Sequence, residues 1–429
     1  MNLHFETLQL HAGQSPDPQT GSFTPTIHPT VAYAFKDVAY GASLFALETP
    51  GHIYSRISNP TTQVFETRMA ALEGGTGALA AASGHAAQFI AFQNILQQGD
   101  SFLSSSLLYG GTFNQFKHSF ARLGIMARFT HQLSIAHLEH ILKTENHKAL
   151  YVESISNGEF TVPEFEALGE LARKYQIPLM VDNTFGAGGY LFRPIEWGAH
   201  IVCHSATKWI GGHGNGIGGV LIDGGNYDWG NGKYPLLSEP SPSYHGLNFW
   251  EKFGGGRGAD NCAFIVRARA EGLRDFGPCL SPFQAFFFLQ GLETLSIRMD
   301  RIVQNSLELA QWLEKHPKVS HVNYLGLPGH PSHQTAKKYF HKGFGGVLSF
   351  RLKGGEEAVS TLLERLQIIS HMANLGDTKT LIVHPASTTH SQLSRTEQEA
   401  CGIAPNLLRL SVGIEHIDDL KADFTQALT

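Results

Sequence analysis

Short apolar runs alternate with amphipathic segments between residues 76 and 222 of this chain. The apolar runs have the length and residue types of buried strands, and they lie at 77–82, 101–105, 125–130, 149–153, 177–182, 201–204 and 217–222. Between them, helical spacing of apolar positions occurs at 86–97, 113–123, 135–142 and 163–175. The alternation predicts an α/β fold in which helices cover both faces of a mainly parallel, seven-stranded sheet.

Polar residues stand where several of these strands end. Glu153 ends one run, Asp182 ends another, and His204 with Ser205 closes a third. Ligands of open α/β sheets bind beside the carboxyl ends of the strands. We therefore expect these side chains to share one crevice.

The pattern before this region has no strong period. Residues 1–58 are rich in Pro, Thr and Gly and are predicted to form an extended arm. Asn59 and Pro60 then have the residue types of a helix start, and Gly74 has that of a helix end. The predicted α/β domain therefore begins at residue 59.

The α/β domain is predicted to span residues 59–261 and to end with an insertion rich in Gly, Pro, Asn and Tyr at 223–261. A long helical pattern at 292–314 follows, with strand-like runs at 319–324 and 347–352. Residues 262–429 are therefore predicted to form a smaller α+β domain.

Composition excludes several classes of protein. The 429 residues are 42% hydrophobic and 16% charged, and the net charge of -5 offers no basic footprint for nucleic acid. We expect neither a membrane span nor a signal peptide. The four cysteines are scattered without zinc spacing, which favours a reduced, cytoplasmic setting. His137 and His140 are expected to be surface residues, and no metal site is predicted.

Lys208 is the residue that most directly indicates a chemistry. It follows an apolar run, is flanked by Ser205 and Thr207, and is followed by glycines. A lysine amine forms a Schiff base with an aldehyde, and the two hydroxyls can donate to a phosphate. Pyridoxal 5′-phosphate (PLP) carries both groups, so this run predicts a PLP enzyme.

Other residues have roles that PLP chemistry would require. Asp182 can keep a pyridine nitrogen protonated, although an aspartate in this position can also cap a turn. The backbone at Gly84 and His85 opens a helix and can bind a phosphate, and an ordinary strand–helix turn would look the same. Tyr109 can stack on the cofactor ring or be a partly buried core residue.

Two arginines are candidate anion ligands. Arg56 can bind a phosphate through paired donors, or it can be a solvated surface residue. Arg409 can bind a substrate carboxylate, or it can form a structural ion pair. The run 214–219 matches a dinucleotide-binding fingerprint, but the next residues read as a strand and not as a helix. A Rossmann dehydrogenase is therefore rejected.

Together these blocks resemble the Cys/Met-metabolism family of PLP-dependent enzymes over nearly the whole chain. The resemblance implies fold type I, the aspartate-aminotransferase-like architecture of PLP-dependent transferases. It implies that Lys208 binds the cofactor aldehyde, Asp182 the pyridine nitrogen and Tyr109 the ring face. The resemblance assigns the phosphate to Ser205, Thr207 and the backbone of Gly84 and His85.

The resemblance also implies a site built from two subunits. Tyr54 and Arg56 match residues that reach the phosphate in a neighbouring subunit, so the arm would contact that subunit. The assembly is then expected to be at least a dimer, and a dimer of dimers is the predicted state. Asn157 aligns with an asparagine near the 3′-oxygen of the cofactor, and Arg409 with the arginine for the substrate carboxylate.

Within the family, two blocks resemble the O-acetylhomoserine sulfhydrylases. These are the run from Ala373 to Asp377, which contains Asn374 where other branches have serine, and the run from His384 to His390. The insertion around 239–246 is also similar to that branch. Asn374 is accordingly a predicted substrate-binding residue, and Lys208, Tyr109 and Tyr54 are predicted to take part in catalysis.

The implied reaction is the γ-replacement of acetate in O-acetyl-L-homoserine by sulfide or methanethiol. The alternatives are a methionine γ-lyase or a cystathionine γ-synthase activity, and a PLP-fold protein that only binds or regulates. There are two departures from the family pattern. Gly158 stands where many relatives have proline, and His85 where they often have Met or Gln.

Overall fold

The computed structural model describes residues 3–255, 261–389, 391, 394–395 and 403–429. Two sheets organise these residues: a seven-stranded sheet in the order β1-β7-β6-β5-β4-β2-β3 and a five-stranded sheet in the order β10-β11-β12-β9-β8. The large sheet consists of β1 (Gly77–Ala81), β2 (Ser101–Ser105), β3 (Met126–Thr130), β4 (Leu150–Glu153), β5 (Leu179–Asp182), β6 (Ile201–Ser205) and β7 (Gly219–Asp223). The small sheet consists of β8 (Val319–Asn323), β9 (Val347–Leu352), β10 (Ser370–His371), β11 (Leu381–Val383) and β12 (Leu407–Ser411).

The predicted fold class is confirmed. In the large sheet only β7 runs against its neighbours β1 and β6, and the other pairs are parallel. The small sheet is antiparallel apart from the β10–β11 pair. Every strand predicted between 77 and 222 is present, with its ends shifted by at most two residues.

The helices before and within the large sheet are α1 (Phe5–His11), α2 (Val38–Phe45), α3 (Pro60–Glu73), α4 (Gly84–Gln93), α5 (Gly110–Asn114), α6 (Ile135–Thr144) and α7 (Phe165–Tyr175). Helix α3 begins as predicted, because the Asn59 side chain accepts a hydrogen bond from the Thr61 amide at 2.9 Å. The helix predicted at 113–123 is different: α5 passes into a π-helical turn at Gln115–Phe120.

The N-terminal arm is only partly extended, which corrects the prediction for residues 1–58. Helices α1 and α2 interrupt it, although the region lacks a strong apolar period. Between them, residues 12–37 run over the surface. Phe23 is 64% exposed and Val38 is 91% exposed, so the arm shows apolar side chains to solvent in the single chain.

The insertion at 223–261 contains short helices, so it is more ordered than a loop. The later helices are α8 (Pro235–Ser238), α9 (Phe249–Phe253), α10 (Ala263–Arg267), α11 (Arg274–Phe276), α12 (Pro282–Glu293), α13 (Leu295–Lys315), α14 (His333–Tyr339), α15 (Gly355–Arg365) and α16 (Ile417–Ala427). The predicted helix at 292–314 corresponds to α13, and α12 stands directly before it.

Apolar layers cover both faces of the large sheet. One contains Phe65, Leu168 and Phe288, and the other contains Phe92, Phe116 and Trp229. A third cluster, which includes Leu348 and Phe424, covers the small sheet. Because these layers close the faces, the carboxyl ends of the strands remain as the place for polar chemistry. Within the described part of the chain, no helix is both long and apolar enough to cross a bilayer.

Candidate active site

The carboxyl edge of the large sheet brings together residues that are far apart in sequence. Glu153 ends β4 in register with Asp182 at the end of β5, and Asp182 is paired with Cys203 of β6. The carboxyl ends of parallel strands lie at the same edge of a sheet, so residues in register at these ends are neighbours. The predicted sharing of one edge by Glu153, Asp182 and Ser205 is therefore what the structure shows.

Lys208 lies in the turn after β6, and its side chain points to the C-terminal part of the chain. Its Nζ donates to Asn374 Oδ1 at 2.7 Å. Burial, and to a smaller extent the positive charge of Arg409, together lower the pKa of Lys208 to about 8. The structure thus joins three of the predicted site residues, Lys208, Asn374 and Arg409.

Asp182 is held by a network on its own side of the sheet. Its Oδ1 accepts from the Thr184 amide at 2.9 Å, and its Oδ2 accepts from Gln88 Nε2 at 2.8 Å. Gln88 also donates to the Tyr151 hydroxyl at 2.7 Å. The sequence analysis missed Gln88; the available signal was a polar residue on the apolar, buried face of α4.

The start of α4 lies against Ser205. Ser83 caps the helix by accepting from the Ala86 amide at 3.1 Å, which leaves the first N–H groups at Gly84 and His85 for another acceptor. A Cβ on Gly84 would stand 3.0 Å from Ser205 Cα, so the two segments approach closely because residue 84 has no side chain. The geometry is that of an anion site.

Ser205 and Thr207 have different surroundings. The Ser205 amide donates to Thr184 Oγ1 at 2.9 Å, which fixes the turn that leads to Lys208. The Thr207 hydroxyl accepts from the Gly218 amide at 3.1 Å, which holds the end of the glycine-rich loop at 211–218 close to Thr207. After that loop comes β7 and not a helix, which agrees with the rejection of a dinucleotide site at 214–219.

Tyr109 and His85 form a pair of rings above this edge. Their centroids are 5.7 Å apart with a 46° angle between the planes. Tyr109 is 50% exposed, so its ring is available to a flat partner. His85 Nε2 is buried and has no hydrogen-bond partner among the described residues. This nitrogen was not anticipated, since only the backbone of His85 was assigned a role.

Arg409 is partly buried beside Asn157. Its Nη1 donates to Asn157 Oδ1 at 3.3 Å, and burial lowers the pKa of the guanidinium. The alternative of a structural ion pair finds no support, because no carboxylate forms a salt bridge with Arg409 within the described ranges. A buried cation with an amide partner retains donors for an anionic ligand.

Glu153 lies beneath both Tyr109 and Asn157. Its two carboxyl oxygens accept from the Tyr109 amide at 2.6 Å and from the Asn157 amide at 3.1 Å. Burial raises the pKa of Glu153 well above its usual value, and the charge of Asp182 acts in the same direction. The sequence analysis noted Glu153 only as a strand end.

A second buried carboxylate, that of Glu73, contacts residues at the ends of β5 and β6. Glu73 Oε1 accepts from Asn183 Nδ2 at 2.8 Å and lies 2.6 Å from His204 Nε2. Asn183 follows Asp182, and His204 precedes Ser205. The end of α3 therefore fixes two of the strand ends on which the candidate site is built.

Tyr54 and Arg56 are not part of this group in the single chain. The Arg56 guanidinium lies 5.4 Å from the centre of the Tyr54 ring, and it donates to the carbonyl of Arg274. Among the described contacts, none links either residue to Lys208, Asp182 or Arg409. His390, at the end of the predicted branch motif, lies outside the described residues.

Comparison with known proteins gives consistent matches over the full chain. The family described as Cys/Met metabolism PLP-dependent enzyme matches residues 6–429. An O-acetyl-L-homoserine sulfhydrylase of Thermus thermophilus is 54% identical over 99% of this chain and 100% of its own length. A homocysteine synthase of Schizosaccharomyces pombe is 52% identical over 99% of this chain and 98% of its own length.

A solved structure from Campylobacter jejuni superposes with a TM-score of 0.91 at 38% identity, over 99% of this chain and 100% of that chain. It contains a lysine joined to pyridoxyl 5′-monophosphate. The predicted resemblance, the fold type and the cofactor class are therefore confirmed.

Proposed function

This chain belongs to the Cys/Met metabolism family of PLP-dependent enzymes, and we propose from that premise that it catalyses a γ-replacement on O-acetyl-L-homoserine. Sulfide displaces acetate from the γ-carbon, so the products are L-homocysteine and acetate; methanethiol gives methionine instead. The observation that carries the proposal is the 52–54% identity, over the whole chain, to relatives named for homocysteine formation. The reaction is a step of sulfur amino-acid metabolism.

The residues at the carboxyl edge fit PLP. Lys208 offers a partly buried amine, Asp182 offers a carboxylate held by Gln88, and the close approach of Gly84 to Ser205 leaves backbone N–H groups for a phosphate. When bound, PLP supplies an aldehyde for the substrate amine and a ring that accepts electrons from the α-carbon. Ser205, Thr207 and the backbone of Gly84 and His85 would hold its phosphate.

In our proposal Asp182 keeps the pyridine nitrogen protonated, and Gln88 and Thr184 orient its two oxygens for that purpose. Tyr109 covers one face of the ring. Asn157 lies near the 3′-oxygen. Asp182 ends β5, Tyr109 follows β2 and Asn157 follows β4, so all three lie at the same edge of the sheet.

Lys208 is the proposed acid and base. A pKa of about 8 leaves a substantial neutral fraction of the amine near neutral pH, where an unperturbed lysine would be almost fully charged. Lys208 removes a proton from the α-carbon, releases it, and then removes one from the β-carbon, after which acetate can leave from the γ-carbon. Once sulfide has bonded to the γ-carbon, protons return to the β- and α-carbons. Asn374 orients the amine through its amide oxygen, and Tyr109 and Tyr54 are the proposed helpers in proton transfer.

Arg409 is the proposed ligand of the substrate carboxylate. Its guanidinium is partly buried, carries its charge at all physiological pH values, and is oriented by Asn157. A carboxylate bound there would stand on the same side as Lys208, whose pKa already responds to the Arg409 charge. Asn374 then lies between the amine and the substrate-binding side.

We propose a homo-oligomer in which the arm of one subunit completes the site of another. Among the described residues, none of the contacts of Tyr54 and Arg56 reaches the Lys208 group, while the arm exposes Phe23 and Val38. A second copy would cover these side chains and bring Arg56 to a phosphate. A tetramer in the cytoplasm is the proposed state of the enzyme.

The test is a product assay on the purified protein loaded with PLP. O-acetylhomoserine is supplied with and without sulfide, and homocysteine, acetate, 2-oxobutanoate and ammonia are quantified. We expect homocysteine and acetate in equal amounts when sulfide is present. Lys208→Ala should form neither product and should lack the visible absorbance of the bound cofactor.

Any of three results would overturn the proposal. Formation of 2-oxobutanoate and ammonia in the presence of sulfide would make the protein a γ-lyase. Turnover that needs cysteine as the thiol would make it a cystathionine γ-synthase. Full activity of Lys208→Ala would remove the lysine from the reaction.

A further inference from the structure

Glu153 is buried in the candidate site without a part in the proposed chemistry. It is the last residue of β4, it lies in register with Asp182, and it is 6% exposed. A carboxyl group in such a place costs free energy unless its oxygens are hydrogen-bonded. Its contacts therefore indicate what it contributes.

Both carboxyl oxygens accept a hydrogen bond from the backbone. One comes from Tyr109, at the start of α5, at 2.6 Å, and the other comes from Asn157, in the loop after β4, at 3.1 Å. The two donors belong to separate segments, 48 positions apart in the chain. One side chain therefore fixes the relative position of two segments that border the site.

These two segments carry different parts of the proposed site. Tyr109 presents its ring beside His85, and the Asn157 side chain accepts from Arg409. Two hydrogen bonds that do not involve Glu153 join the ends of the loop that contains Asn157: the Ser156 amide donates to the Thr161 carbonyl at 3.0 Å, and the Thr161 amide donates to Ser156 Oγ at 2.9 Å. Glu153 fixes the backbone of Asn157 itself, whose side chain contacts Arg409.

A glutamine in the same place could not make both contacts. A carboxyl group can accept on both oxygens, whether it is ionised or protonated, whereas an amide has one accepting oxygen and one NH₂ group that only donates. In Glu153→Gln, a donor would face either the Tyr109 amide or the Asn157 amide. The shape of the side chain would be preserved while one of the two segments is released.

We propose that Glu153 is a positioning residue that couples the ring-face side of the site to its carboxylate-binding side. It acts on the substrate through Asn157 and Arg409, and on the cofactor through Tyr109. The inference rests on the proposed function in so far as Arg409 is taken to bind the substrate carboxylate.

The experiment compares two amines that differ by one carboxylate. L-2-aminobutyrate and propylamine share the same carbon chain, and their dissociation constants are read from the visible absorbance of the PLP-loaded protein. Glu153→Gln should weaken L-2-aminobutyrate by about tenfold, the effect of about one charge-assisted hydrogen bond, and should change propylamine by less than about twofold. The dissociation constant for PLP, titrated into cofactor-free protein, should also rise.

Glu159→Gln is the matched control, because it makes the same change in the same loop and its side chain has no part in the proposed site. It should leave both amines unchanged. Asn157→Ala supplies the coupling test: the double variant with Glu153→Gln should bind L-2-aminobutyrate no more weakly than the weaker single variant.

Equal weakening of both amines, or independent effects that multiply in the double variant, would overturn the proposal. If Glu153→Gln does not fold by circular dichroism, Glu153→Asp, which is one carbon too short to reach both amides, takes its place with the same expectations. Failure of both variants to fold would make Glu153 a structural residue and would also overturn it. A wild type that binds these amines but makes no homocysteine would contradict the proposed function alone.

Discussion

The amine of Lys208 depends on two neighbours that lie far away in the chain. Asn374 accepts its hydrogen bond at 2.7 Å, and Arg409 supplies a positive charge that acts with burial to lower its pKa to about 8. A neutral amine is the form that attacks an aldehyde or takes up a proton. The burial of this residue is therefore part of its proposed chemistry.

The first prediction concerns the pH dependence of cofactor uptake. Because only the neutral amine reacts, the rate at which cofactor-free protein takes up PLP should rise with pH, reach half of its maximum near pH 8, and level off above it. Removal of the Arg409 charge stabilises the protonated amine, so Arg409→Gln should move the midpoint upward. Stopped-flow absorbance measures the rate.

Arg365→Gln is the control for this measurement, since it removes the same charge from an exposed position on α15. Its midpoint should equal that of the wild type. A midpoint that stays in place in Arg409→Gln would contradict the electrostatic link between Arg409 and Lys208.

Gly158 explains how this chain departs from the family pattern. Its φ is 102°, in a region that L residues rarely adopt, and the proline ring of many relatives would require a φ near −65°. A proline could not adopt the backbone conformation that Gly158 has in this chain.

The second prediction is that Gly158→Pro disrupts the loop. Proline cannot adopt the native φ, so the unfolding free energy should fall by more than about 1 kcal/mol, and the KM for O-acetylhomoserine should rise because Asn157 no longer orients Arg409. Gly158→Ala should also destabilise the loop, because alanine is strained at this φ, but by less than proline, whose ring excludes positive φ; no described atom lies within 4 Å of the added Cβ. Urea unfolding and steady-state kinetics measure the two quantities; wild-type values in Gly158→Pro would refute the prediction.

At the scale of elements, α3 connects the arm to the site. Asn59 caps the helix and also donates from Nδ2 to the His28 carbonyl at 2.9 Å and to the Tyr33 hydroxyl at 3.1 Å. At the other end, Glu73 holds the ends of β5 and β6. Helix α3 thus contacts the arm at its start and, at its end, the strand ends that carry Asp182 and Ser205.

The third prediction separates the two roles of Asn59. Asn59→Ala loses both the cap and the donor, whereas Asn59→Ser retains a capping oxygen and loses only the donor. The alanine variant should therefore be less stable than the serine variant by about 1 kcal/mol, the usual effect of a helix cap. Denaturant unfolding measures the difference, and equal stability of the two variants would show that the cap contributes nothing.

At the scale of the whole molecule, one chain does not assemble every predicted site residue. Lys208, Asn374, Arg409 and Asn157 are linked by hydrogen bonds and charge, and Tyr54 with Arg56 stands apart. The arm that carries Tyr54 and Arg56 exposes apolar residues. Both features favour a symmetric assembly in which each site takes residues from two copies.

The fourth prediction follows from this shared architecture. Lys208→Ala and Arg56→Ala should each be inactive or nearly so, yet a mixed dimer contains one site in which both residues are native. Random mixing of the two variants after dissociation should therefore restore about a quarter of the wild-type activity, because half of the dimers are mixed and each has one intact site. Mixing Lys208→Ala with Asp182→Ala is the control, since one subunit supplies both residues to each site.

In that control every mixed site contains at least one defect, so no activity should return. Recovery in the control, or none in the first mixture, would place Arg56 in the site of its own subunit.

Local signals in the sequence determined the parts of the structure that depend on near neighbours. The strands of the large sheet, the start of α3 at Asn59 and the chemistry of the Lys208 run were all predicted from short segments. Apolar burial and helix capping act over a few residues, so their pattern is visible in the chain itself. The two helices of the arm were missed for different reasons: α1 packs Phe5 into the core, which the sequence does not show, and α2 begins at the Asp37 cap, a local signal that was overlooked.

Tertiary structure alone decided which distant groups meet. The spacing of residues in the sequence does not indicate that Glu153 accepts hydrogen bonds from both Tyr109 and Asn157. Nor does it indicate that Gln88 donates to Asp182, or that Asn374 accepts a hydrogen bond from the Lys208 amine. Side-chain hydrogen bonds and pKa values depend on distance and on the exclusion of water, and both arise only when the two sheets and their helices pack. The sequence by itself therefore determined the class of chemistry, and the fold determined the geometry in which it can proceed.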